Sequence, residues 1–137
     1  MLRGGCACGA VRYETAVEPF HRTLCHCVDC RRAAGAPAVA WFSVPAAELR
    51  FVKGTPATHR SSPQVERSVC GACGTPLAYR NDAYPEEVDV TTCSLDDPAA
   101  ASPQDHTFAS QRLPWMRVDD GLPVYPRSRG DGVTPPY

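Results

Sequence analysis

Short runs rich in β-branched and aromatic residues recur between turn signals along this chain: VRYETAV (11–17), AVAWFSV (38–44), LRFVKG (49–54), PLAYR (76–80) and VDVTTCSL (88–95). That spacing predicts an all-β domain of seven or more strands. Helical candidates are short, at 29–34 and 45–49. The stretch 97–103 reads as a loop, and the tail PRSRGDGVTPPY (126–137) as an extended, Pro/Gly-rich end. No internal repeat or linker interrupts residues 1–125, which read as a single domain.

Composition changes this picture in two places, with 14 prolines and 8 cysteines in 137 residues. The prolines disfavour long helices and suit short strands joined by turns. A chain of this size buries roughly 70% of its unfolded surface, so smallness alone does not demand a metal. The formal net charge of −1 supplies no electrostatic reason to expect nucleic acid or an anionic membrane surface. The start MLRGGCACG lacks the apolar h-region of a secretory signal, and no apolar run approaches the ~20 residues of a spanning helix. The expected location is therefore the cytoplasm, where clustered cysteines mean metal or catalysis more often than disulfides. For the same reason the tripeptide Arg129-Gly130-Asp131 is expected to be a coincidence, not an adhesion motif.

The cysteines fall into four groups: Cys6 and Cys8; Cys25, Cys27 and Cys30; Cys70 and Cys73; and Cys93. In VCGACGTPL (69–77), two cysteines three apart can aim both sulfurs at one ion across a tight turn, with Gly71 and Gly74 permitting positive φ. Cys6 and Cys8 share one face of an extended strand. Tetrahedral zinc needs its sulfurs about 3.8 Å apart, so that strand end must curl, and Gly4, Gly5 and Gly9 allow it. Two partitions are open on spacing alone. Cys6, Cys8, Cys70 and Cys73 can close one site, or Cys27, Cys30, Cys70 and Cys73 can make a zinc ribbon that leaves Cys6 and Cys8 to partner Cys25 with or without Cys93.

C-x-C, C-x-C-x-x-C-R-R-x-x-G and C-x-x-C-G follow one another in GGCACGAVRYE (4–14), CHCVDCRRAAGAPAVAWFSVP (25–45) and FVKGTPATHRSSPQVERSVCGACGTPLAYR (51–80). With VDVTTCSLDDP (88–98) and HTFASQRLPWMRVDDGLPVY (106–125), they make the chain resemble the glutathione-dependent formaldehyde-activating enzymes and the related centromere protein V domain. The resemblance implies an Mss4-like zinc-binding β fold. It implies two zinc ions per chain: a structural one on Cys6, Cys8, Cys70 and Cys73, and a more labile one on Cys25, Cys27 and Cys30. It also implies an activity, the joining of glutathione to formaldehyde, which in reverse is carbon–sulfur lyase chemistry.

Three ligands leave zinc a position for an incoming thiol, the arrangement of catalytic sites. Zinc lowers the pKa of a bound thiol and polarises a carbonyl. Arg31 and Arg32, next to Cys30, are candidates to offset the thiolate charge or to receive a substrate carboxylate. Glutathione or another small thiol, and formaldehyde or a related aldehyde, are the expected partners.

His26 is expected to face away from the ligands on either side of it, as a packing or supporting residue. His21, His59 and His106 are expected to be surface or hydrogen-bonded residues. Trp41, Phe42, Trp115 and Tyr125 are expected in the core. Cys93 departs from the family pattern and is either a buried thiol or a late partner of the labile site. The alternative function is a zinc-stabilised thiol carrier or protein-interaction module without chemistry. A type B methionine sulfoxide reductase, which shares the broad fold, fits less well, because TTCSL lacks an Arg-x-Cys-x-Asn context.

Overall fold

A computed structural model describes residues 1–132; residues 133–137, the end of the tail expected to be extended, lie outside the described residues. The described chain forms ten strands and one helix. The strands are β1 (Leu2–Gly5), β2 (Arg12–Thr15), β3 (Phe20–Cys25), β4 (Val39–Pro45), β5 (Arg50–Lys53), β6 (Ala57–Ser62), β7 (Val65–Val69), β8 (Pro76–Asn81), β9 (Glu87–Thr91) and β10 (Asp105–Thr107); the helix, α1, spans Val28–Ala34. The protein is thus mainly β, as expected. It divides into two compact units, Met1–Phe20 with Phe42–Ala101, and His21–Trp41 with the chain from Ser102 onward.

In the first unit, β1 and β2 form an antiparallel hairpin with Gly5 opposite Arg12, and β5 joins the other side of β2. The strands β6 to β9 follow one another as an antiparallel meander in which Val69 pairs with Pro76. Alternate positions of β9, Val88 and Val90, enter an apolar core with Tyr13, Phe42, Val44, Leu77 and Leu95. Each such side chain contributes about 1.5–3 kcal/mol on burial.

In the second unit, β3 and β10 run parallel, with Thr107 beside Cys25. Nearly half of its buried residues are polar, Thr23, His26, Asp105, His106 and Thr107, beside the apolar Cys25, Cys30, Val39, Trp41, Ala109 and Val124. The C-terminal segment runs along β10, where the His106 N–H donates to Pro123 O at 2.8 Å and the Tyr125 N–H donates to His106 O at 2.8 Å. The described part of the tail is tied down too. Arg129 donates through Nη2 to buried Asp105 at 3.1 Å, and Asp131 accepts from the Ser128 N–H at 2.9 Å. The Arg-Gly-Asp tripeptide therefore has an internal structural use.

All five apolar runs contain strands, β2, β4, β5, β8 and β9, and both short helical candidates contain helical turns. VDVTTCSL divides: the strand ends at Thr91, and Thr92–Ser94 forms a 3-10 turn. Ser94 Oγ donates to Thr91 O at 2.8 Å and meets the buried Tyr13 hydroxyl at 2.7 Å. These side-chain bonds compete with a continued ladder. The polar run ATHRSS forms β6, exposed at all six positions on a sheet edge; with no buried face it carries no alternation to read. Trp41 and Phe42 are buried as expected. Trp115 is not: it is 70% exposed, in an irregular segment after the 3-10 turn Ala109–Gln111.

Candidate functional site

Cys6 and Cys8 lie in the loop of the β1–β2 hairpin, and Cys70 and Cys73 in the loop of the β7–β8 hairpin. Each loop closes through a left-handed glycine. Gly9 (φ 79°) donates its N–H to Cys6 O, and Gly74 (φ 80°) to Cys70 O. Gly71, expected to share this role, has no positive φ. The Ala7 N–H donates to Thr75 Oγ1 at 3.1 Å and links one loop to the other.

All four sulfurs lie within 4.8 Å of one another, with Cys6 and Cys8 3.5 Å apart and Cys8 and Cys70 3.8 Å apart. Tetrahedral zinc–thiolate geometry requires about 3.8 Å, so the donor set fits such an ion. Backbone N–H groups point at the sulfurs, from Val11 to Cys6 at 3.2 Å and from Ala72 and Cys73 to Cys70 at 3.4 Å. The Val11 N–H draws the Cys6 pKa below the ordinary thiol value. The Thr75 hydroxyl, 3.1 Å from Cys73 Sγ, brings the Cys73 pKa down to about 5. The backbone at Ala10 favours the Cys8 thiolate, yet the sulfurs of Cys6 and Cys73 push its pKa up to about 11. A cation removes that mutual repulsion.

In the second unit, Cys25 ends β3, Cys27 caps α1 and Cys30 is buried in its first turn. Cys27 Sγ takes the place of a capping oxygen and accepts from the Cys30 N–H at 3.2 Å. The Val28 N–H, another orphan of the helix start, donates to Gln111 Oε1 at 2.9 Å. Gly35, with φ 62°, ends the helix. The three sulfurs again lie within 4.8 Å of one another. The neighbouring sulfurs of Cys27 and Cys30, with burial, push the Cys25 pKa far above the ordinary thiol range. Three ionised sulfurs at this spacing need a positive partner, and the donor set suits a soft or borderline metal ion.

Of the two partitions open on spacing, the sulfur positions match the four-plus-three grouping. Cys93 joins neither group; it is exposed on the 3-10 turn after β9, so the expectation of a buried thiol is corrected. Arg32 is exposed on α1, whereas Arg31 Nε is buried and has no hydrogen-bond partner among the described residues. Ser61 Oγ, on β6, accepts from Arg67 Nε at 3.2 Å.

His26 does not sit on a strand; it lies between the end of β3 and the cap of α1, and is completely buried. Its Nε2 is 2.9 Å from Nδ1 of His106, equally buried, and His106 Nε2 is 2.9 Å from Asp120 Oδ2. Burial first, then the charges of His106 and Arg112, bring the His26 pKa down to about 4. This linear array of three polar side chains was missed in the sequence, where its members are up to 94 positions apart and carry no common motif.

The fold and its sulfur clusters define a β protein with two metal-binding-type cysteine groups, one of four donors and one of three. A family model described as glutathione-dependent formaldehyde-activating enzyme matches residues 1–111, and the chain belongs to that family. A relative from Halomonas elongata, assigned by name to the glutathione-dependent formaldehyde-activating enzymes, is 27% identical over 130 residues, which cover 87% of this chain and 82% of the relative. The crystal structure of a Rhodobacter sphaeroides protein, 24% identical, superposes with a TM-score of 0.59 over 69% of this chain and 87% of that one, a likeness of fold. Among the described residues, no helix is long and apolar enough to cross a membrane.

Proposed function

We propose that Cys25, Cys27 and Cys30 hold a labile zinc ion whose remaining position takes a small thiol, glutathione or an analogue. The protein joins that thiol to formaldehyde or a related aldehyde in the cytoplasm, as a carbon–sulfur lyase working in the direction of addition. Cys6, Cys8, Cys70 and Cys73 hold a second, structural zinc. One observation carries the reading: among the described residues one sulfur group offers four donors and the other three. The family and the name of the Halomonas relative supply the substrates.

When bound, zinc at a three-thiolate site lowers the pKa of a thiol and polarises a carbonyl oxygen. The addition forms a bond from the thiol sulfur to the carbonyl carbon. The carbonyl π bond breaks onto oxygen, and the thiol proton ends on that oxygen. The chain's own residues hold the site in shape: the Cys30 N–H fixes the Cys27 sulfur, and Gln111 fixes the start of α1. Three thiolates outweigh a divalent ion by one charge, and Arg31 offers a guanidinium with a buried, unmatched donor suited to a substrate carboxylate.

Metal analysis of protein purified without chelator tests the reading, the expected result being two zinc ions per chain with one lost more readily. Calorimetry with glutathione, and an assay for adduct formation with formaldehyde, complete it. Glutathione binding without faster adduct formation reassigns the protein to thiol carriage; a single tight zinc and no glutathione binding removes the open site.

A further inference from the structure

His26 is the residue between Cys25 and Cys27, and it is held from two directions. Its backbone N–H donates to Thr107 O at 3.0 Å, and its Nε2 meets His106 Nδ1 at 2.9 Å. His106 stands on β10, its ring stacked on that of His26 with centroids 5.2 Å apart. Its Nε2 lies 2.9 and 3.1 Å from the two carboxylate oxygens of Asp120. Asp120 is itself oriented, accepting from the Leu122 N–H at 3.1 Å. It lies beyond residues 1–111, the part of the chain matched by the family model.

A carboxylate only accepts, so His106 Nε2 carries the proton that faces Asp120. With both rings neutral, His106 Nδ1 is then an acceptor and His26 Nε2 the donor. One carboxylate thereby sets the tautomer and ring orientation of two buried imidazoles in series. Such an array is costly to bury when only partly satisfied, and an apolar pair would fill the space more cheaply. Supporting hydrogen bonds of this kind around metal ligands characteristically orient the ligands themselves.

We propose that Asp120, acting through His106 and His26, is a positioning residue for the three-cysteine site, holding the 25–27 turn in the orientation in which Cys25, Cys27 and Cys30 share one ion. The proposal rests on the reading that these cysteines bind a metal. Removing the Asp120 carboxylate takes away the acceptor that orients His106 Nε2–H, and the ring turns or changes tautomer. His26 loses its fixed acceptor, and the turn that carries two of the three sulfurs loosens.

The test uses the full chain loaded with cobalt(II), comparing wild type with Asp120→Ala and Asp120→Asn. The asparagine keeps an oxygen able to accept from both His106 and Leu122. Chelator competition, followed in the sulfur-to-cobalt absorption bands, reads each site, and the tighter site reports on folding. Asp120→Ala is expected to weaken the second cobalt by about 10–100-fold, to shift its bands and to spare the tighter site, with Asp120→Asn within a few-fold of wild type. Equal affinity and bands in wild type and Asp120→Ala, or equal losses in both variants, overturn the proposal. Nitrogen-15 spectra of the wild-type imidazoles give a check independent of any variant: Nε2-protonated His26 and His106 are expected at neutral pH, and a His26 protonated at Nδ1 overturns the proposal. A wild type that takes up only the tighter cobalt removes the reading of the site, and the proposal with it; two cobalt ions with an indifferent Asp120→Ala remove the proposal alone.

Discussion

The two cysteine groups share a ligand chemistry and differ in what supports them. The four-cysteine group sits in two hairpin loops, and two of its members, Cys6 and Cys70, belong to the apolar core of the first unit. The three-cysteine group spans a strand end and a seven-residue helix, in a unit where nearly half of the buried residues are polar, against a third in the first unit. Among the described residues, both non-glycine positions with left-handed backbone, His21 (φ 48°) and Phe108 (φ 54°), belong to the second unit, at a cost of about 1–2 kcal/mol each. An apolar core with closed ligation suits a permanent staple. Buried hydrogen bonds, backbone strain and a short donor set fit the reactive role proposed for the second group.

The comparison breaks most visibly at the ligands. On the proposed reading, Cys70→Ser is expected to abolish cooperative folding, since a structural zinc contributes on the order of 10 kcal/mol, whereas Cys27→Ser should stay folded and lose only the second metal. Circular dichroism with metal analysis of both variants decides it; a folded Cys70→Ser would erase the distinction. Next in size is Gly4→Ala in β1. An added Cβ collides with the Tyr13 hydroxyl and lies 2.5 Å from the Ser94 carbonyl oxygen, which should lower the unfolding free energy by about 1–3 kcal/mol in a denaturant titration.

The smallest effects set the two units against each other along the pH axis. Burial pushes the Tyr13 pKa up to about 12, above its ordinary value of 10.0. Its contribution is intact below pH 10 and declines as the pH rises towards 12, because the unfolded chain ionises first. His26 behaves in the opposite sense, with a pKa lowered from 6.5 to about 4. Its contribution is intact above pH 6.5 and is lost as the pH falls through about 4, because the unfolded chain takes up the proton first. Denaturation of Tyr13→Phe at alkaline pH and of His26→Gln at acid pH should show less pH dependence than wild type, each at its own end. Proton NMR showing His26 titrating at an unshifted value would remove the acid half of the contrast.

The cysteine groups were legible because ligands come in close pairs and triples, and local spacing suffices to mark them. The five apolar runs were legible because each carries a buried face. By contrast, β6 buries nothing, and Thr92–Ser94 leaves the strand to make side-chain bonds that no pattern announces. Trp115 was expected inside on its chemistry alone and lies outside on its irregular backbone.

By itself, then, the sequence determined a β-rich chain with knuckle-like cysteine clusters and the family that carries them, since these depend on neighbours along the chain. Spacing left two cysteine partitions open; the resemblance implied the four-plus-three grouping, the sulfur positions agree with it, and only the tertiary structure showed that Cys93 meets neither group. It also brought His26 to His106 across 80 positions and His106 to Asp120. Those contacts follow from the parallel pairing of β3 with β10 and from the C-terminal segment running along it, and non-local pairing of this kind leaves no periodic trace in the chain.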